Sequence, residues 1–135
     1  MSKVVLKNNQ LKAVVKIVSE DATTIDPSDL SYDVVVESGD PDFGASGSRG
    51  TAARTQVPTR LDIAKIIYSQ AEDSGKHVKV GRGGTTIMIL GGSGEVDLAG
   101  NGALEQSATG PIEVLTSSNG HPYTAIFFID KVGVT

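Results

Sequence analysis

The chain has 135 residues, with 12 Lys and Arg against 16 Asp and Glu for a net charge of −4, and it contains no cysteine. This is the length of one domain, able to bury roughly two thirds of the surface its unfolded chain exposes, and it must do so without disulfides. Mild acidity argues against general phosphate-backbone binding, which needs clustered Lys and Arg, and three Tyr, three Phe and no Trp leave few stacking platforms for sugars or single strands.

Residues 4–6 are apolar and lead into Asn8 and Asn9, residue types that tolerate left-handed turn conformations. Leu11, Ala13, Val15 and Ile17 then alternate with Lys12, Val14, Lys16 and Val18, so a short strand, a turn and a longer strand are predicted. No apolar run approaches the roughly 18–20 residues of a membrane span, and the first residues lack a leader-like core. A soluble chain made in a cytoplasm, with no membrane partner, is expected.

Thr23, Thr24 and Ile25 make a short strand closed by Asp26 and Pro27. Leu30, Tyr32, Val34 and Val36 alternate with Ser31, Asp33, Val35 and Glu37, as in a strand with one face on a core and the other in water. Residues 39–56 then lose all period and are rich in Gly, Ser, Ala and Thr, predicting a long flexible loop. A linker would have no second domain to reach, so an interaction arm is favoured. Phe43, Arg49 and Arg54 are its candidate partner contacts, Phe43 to fill a pocket and the arginines to pair with carboxylates.

Residues 58–71 carry two patterns. Thr59 with Asp62 imitates a capping box, and Ile63, Ile66, Ile67 and Ala71 would line a helical face. Leu61, Ile63 and Ile67 also fit strand parity and β-branched residues are dense, so a strand is preferred. Residues 77–98 give the clearest succession of strand, turn, strand, turn and strand, punctuated by glycines at 81, 83, 84, 91, 92 and 94. Asn101 with Gly102 signals a further turn, and Ile112 and Val114 begin another strand. In the last run Tyr123, Ala125, Phe127 and Ile129 face one way while Ile126 and Phe128 face the other. A strand apolar on both faces belongs at the centre of a sheet or under a second layer. The expected fold is a single all-β domain over residues 1–135, an antiparallel β-sandwich of jelly-roll or Ig-like type with roughly eight to ten short strands.

Catalytic and metal-binding patterns are missing. Neither glycine cluster has Walker spacing or precedes a helix, so both read as hairpin turns. Asp40, Asp42 and Gly44 faintly resemble a calcium loop, but Thr51 stands where its bidentate acid should be. His77 and His121 are far apart and lack companions at zinc spacing. No serine sits in a nucleophile elbow, and Glu20 with Asp21 and Glu72 with Asp73 read as solvated loop acids. Lys76, His77, Lys79 and Arg82 form a basic stripe that ordinary sheet patterning accounts for, a docking surface being the lesser reading. No enzyme activity, cofactor or metal is expected.

The segments AVVKI at 13–17, IAKIIYS at 63–69, VKVGRGGTTIMILGGSGEVDLAG at 78–100 and YTAIFFIDKVG at 123–133 resemble small all-β virion proteins of tailed bacteriophages, especially marine and cyanobacterial ones. The chain departs from that pattern at Tyr68, where Trp is common, and in the insertion at 39–56. The resemblance implies a capsid decoration or cement protein of the virion, homo-oligomeric, bound to the major capsid protein or other virion proteins and not to specific nucleic acid. It also leaves open a neck or tail accessory protein. A host-glycan-binding sandwich using Tyr32, Tyr68 or Tyr123 is the reading from a different class.

Overall fold

Alternating apolar residues carry the chain into strands from Lys12 onward, after a first strand built on the apolar run 4–6. The computed structural model describes residues 2–9, 11–37, 51–71, 75–82, 84–98, 111–118 and 120–132, with the backbone alone at 33–37 and 51–54. Within these lie eleven strands: β1 (Ser2–Asn8), β2 (Lys12–Ser19), β3 (Thr23–Ile25), β4 (Tyr32–Glu37), β5 (Thr51–Gln56), β6 (Arg60–Gln70), β7 (Val78–Arg82), β8 (Thr85–Leu90), β9 (Gly94–Asp97), β10 (Ile112–Thr116) and β11 (Tyr123–Val132). One 3-10 turn, Pro27–Leu30, stands between β3 and β4. A five-stranded sheet in the order β1-β2-β11-β6-β9 packs on a four-stranded sheet in the order β3-β10-β7-β8, and β4 pairs with β5 as a ribbon. All the pairings are antiparallel. The fold is an antiparallel β-sandwich.

Parity decides the core. β2 presents Ala13, Val15 and Ile17 inward, β11 presents Tyr123, Ala125, Phe127 and Ile129, and β6 adds Leu61, Ile63 and Ile66. Against them lie Ile25, Val78, Val80, Leu90, Ile112 and Val114 of the second sheet, with Leu30 from the 3-10 turn. β11 sits at the centre of the five-stranded sheet, as expected of a strand apolar on both faces.

β6 is a strand with a defect that explains its helical look. Phe128 pairs with Lys65 but Ile129 pairs with Ile63, so Ala64 is an extra residue. A bulge of this kind shifts the parity by one. Leu61 and Ile63 point inward before it and Ile66 after it, while Ile67 turns out to solvent. Inward residues at 63 and 66 therefore imitate helical spacing on an extended chain.

Three expectations need correction. Residues 51–56, assigned to the flexible loop, form β5, because the edge of β4 offers their backbone a partner even though their sequence has no period. The remainder of that loop lies outside the described residues. β9 follows β8 after a tight turn in which Gly92 takes φ +66°, but it pairs with β6 in the other sheet. Residues 91–93 are thus a crossing between layers. Asn9 works through its side chain, whose Oδ1 accepts the N–H groups of Leu11 (3.0 Å) and Lys12 (2.8 Å), with no left-handed backbone.

Polar groups close the gap between the sheets at both ends of β6. Arg82 Nη1 donates to the carbonyl of Leu61 at the start of the strand. At its other end Gln70 Nε2 donates to the carbonyl of Leu90 (2.7 Å) and Gln70 Oε1 meets Nε2 of His121 (2.7 Å). All three side chains are buried. Burial lowers the Arg82 pKa against the opposing field of Asp62.

Candidate interaction surface

The outer face of the five-stranded sheet is built from the residues that parity leaves over. Register aligns them in cross-strand rows. One row runs Lys7, Val14, Phe128, Lys65, Asp97, and the next Val4, Lys16, Ile126, Ile67, Glu95. Val14, Ile126 and Phe128 are half-buried by one another and by lysine stems, while Val4, Val18 and Ile67 are 45%, 42% and 37% exposed. Among the described residues no layer covers this face. A shallow groove of about 420 Å³ runs along it, lined by Lys12, Val14, Lys65, Asp97, Phe128 and Asp130. Lys65 Nζ stands 5.6 Å from the Phe128 ring centroid and 3.0 Å from Glu95 Oε1. The lysine thus shields the ring while its head remains at the surface.

The β1 edge is also apolar. Val4, Val5 and Leu6 are 45%, 40% and 54% exposed, and the register slips between Val5 and Lys7, which bulges Leu6 outward. Two polar anchors hold this strand. Asn8 Nδ2 donates to the Ser31 carbonyl (2.8 Å) and Oδ1 accepts from the buried Lys131 ammonium, which also reaches the Asn9 carbonyl (2.6 Å). Burial lowers the Lys131 pKa. At the other end Lys3 Nζ donates to Asp29 Oδ2 (2.8 Å) and to the Thr24 carbonyl (3.0 Å), and the Asp26 N–H donates to the same Asp29 oxygen (2.9 Å).

Burial raises the Asp29 pKa, but the hydrogen bonds from Lys3 and Asp26 and the Lys3 charge outweigh it, so the net shift is downward from 3.8. A depressed carboxylate stabilises the fold above its unfolded pKa and loses that contribution as pH falls through its folded value. Asp29→Asn is expected to cost about 1 kcal/mol at neutral pH. Urea unfolding should show the gap between variant and parent closing in acid below the ordinary aspartate range. A gap of constant size would mean that the Asp29 charge contributes nothing.

The expected site residues fall differently. Phe43 and Arg49 lie outside the described residues, and Arg54 is in β5, its backbone opposite Val34. Arg82 leaves the basic stripe: it shares the inward parity of Val78 and Val80 and is 3% exposed, whereas Lys79 is outside. The tyrosines are dispersed. Tyr123 is in the core, donating its hydroxyl to the Asp21 carbonyl (3.0 Å), Tyr68 is half-buried beside Gly91, and Tyr32 lies under Lys131. Burial raises the Tyr123 pKa, outweighing the opposing influence of the nearby Ser19 and Thr23 hydroxyls. Among the described residues no three His, Asp or Glu side chains gather in metal-binding geometry. The outer-face residues were readable as the second parity of β2 and β11, but a second parity does not by itself say whether a layer lies over it. Family models, curated proteins and solved structures yield no match to this chain.

Proposed function

We propose that this chain is a non-enzymatic structural protein of a tailed-bacteriophage particle, one that decorates or cements the capsid shell through the outer face of its five-stranded sheet. The observation that carries the reading is the two-sided central strand: Ile126 and Phe128 of β11 lie on a face with no described layer above it. Apolar area of this kind marks binding surfaces. Weak contacts from such a face gain strength when repeated over a symmetric shell. The sequence resemblance supplies the shell as the partner. A glycan-binding module would need an exposed ring platform, and Tyr123 is committed to the core.

Quantitative mass spectrometry of purified virions tests the proposal. Many copies per particle are expected, a small ring-like number would move the protein to the neck or tail, and absence would overturn the reading. The double variant Val18→Asn, Ile67→Asn changes two exposed positions, so its thermal stability should stay within about 1 kcal/mol of the parent. Attachment to particles lacking the protein should fall at least tenfold. Undiminished attachment would remove the outer face from the proposal.

A further inference from the structure

The two edges of the five-stranded sheet differ in charge. β1 and β2 carry Lys3, Lys7, Lys12 and Lys16 and no acid, in a chain whose net charge is −4. β9, the opposite edge, carries Glu95 and Asp97 and no base. Among the described residues no strand occupies the far side of either edge. Open edges are templates for pairing, and charge on them selects which partner is accepted.

Self-pairing of the β9 edge is disfavoured. An antiparallel contact of β9 with the β9 of another copy, centred on Val96, would set Glu95 against Asp97 on the outer face. Like charges directly opposed destabilise a ladder. Pairing of unlike edges reverses the sign. Four antiparallel steps separate β1 from β9, so the two strands run in the same direction. A neighbouring copy that continued the sheet at the same level would therefore lay its β9 parallel to β1.

The rows fix what would meet. Lys7 and Asp97 are the two ends of one outer row, and Val5 and Val96 are the two ends of the inner row Val5, Val15, Phe127, Ile66, Val96. We infer that a second copy of this chain docks on the β1 edge through its β9 edge, Asp97 against Lys7 and Val96 against Val5, extending the five-stranded sheet head to tail. This occupant covers the exposed Val4, Val5 and Leu6 and matches the charge at each edge. A head-to-tail contact closes into a ring or runs on as a filament according to its rotation. The inference stands apart from the virion reading, because it concerns only how copies meet.

Sedimentation of the full chain at low and high salt, across micromolar to millimolar concentration, reads the assembly. Oligomers weakened by salt are expected. Lys7→Asp alone and Asp97→Lys alone should each raise the dissociation constant at least tenfold, with circular dichroism and melting confirming that the fold persists. Mixing the two single variants should restore assembly, because each repaired contact joins the altered edge of one to the altered edge of the other. A chain monomeric at millimolar concentration overturns the inference, as do oligomers indifferent to Asp97→Lys, which would place the contact elsewhere. Should Asp97→Lys loosen β9 itself, Asp97→Asn provides the second variant, and it too must weaken assembly. None of these outcomes depends on whether the protein is found in virions.

Discussion

Phe127→Ala is expected to remove about 3–5 kcal/mol of stability, the usual cost of a fully buried aromatic cut to a methyl group. Phe127 is 0% exposed, on the central strand of the five-stranded sheet, paired with Val15 on one side and Ile66 on the other. Its ring faces the second sheet, where neither backbone can close in without breaking ladder bonds, so the cavity stays open. Domains of this size have total stabilities of about 5–15 kcal/mol, and the variant gives up roughly a fifth or more of that. A fall in melting temperature on the order of 10–20 °C should follow. The adjacent Phe128 is the internal control, since it faces outward and is half-buried. Phe128→Ala should cost about 1 kcal/mol, in keeping with partial burial. Comparable losses at the two positions, or the reverse order, would show that β11 does not present its odd-numbered residues to the core.

That pair of phenylalanines shows what could be read from the sequence. Alternation in β2, β7 and β11 specifies both faces of each strand, because a one-residue slip would exchange every side chain. It does not specify which strands become neighbours. Nothing in residues 85–97 says that β9 leaves β8 and joins β6, since pairing across layers depends on chain crossings that no local pattern records. β5 was missed for a related reason: its strand state is settled by the backbone of β4, and TAARTQ carries no alternation to announce it. The Ala64 bulge hides the parity of β6 in a third way, by changing it mid-strand.

The candidate surface was partly legible. Ile126 and Phe128 declared themselves as a second apolar parity, whereas Phe43 and Arg49, chosen from the composition of the loop, lie outside the described residues. Buried polar residues were the harder case. Arg82 and Lys131 both continue the inward parity of their strands, so the signal existed, but charge on a strand is ordinarily read as a solvated face. Gln70 falls on inward parity only when counted from beyond the bulge.

Gln70 carries the second large effect. Its amide orientation follows from its partners: the Leu90 carbonyl can only accept, so Nε2 faces Leu90 and Oε1 faces His121, and His121 must donate from Nε2. Gln70→Met keeps the volume and removes both bonds, leaving the Leu90 carbonyl and the His121 N–H buried without this partner. Each such loss costs about 1–3 kcal/mol, so about 2–6 kcal/mol in total is expected. His121→Leu strands only Gln70 Oε1 and should cost about 1–3 kcal/mol. In the double variant the His121 donor is gone together with the oxygen it served, and the combined cost should fall short of the sum by about 1–2 kcal/mol. Guanidinium unfolding of the four proteins measures this coupling directly, with unchanged m-values confirming that the unfolded states are comparable. Strict additivity would mean that the 2.7 Å contact contributes nothing of its own, and that Gln70 acts only by tying the end of β6 to β8.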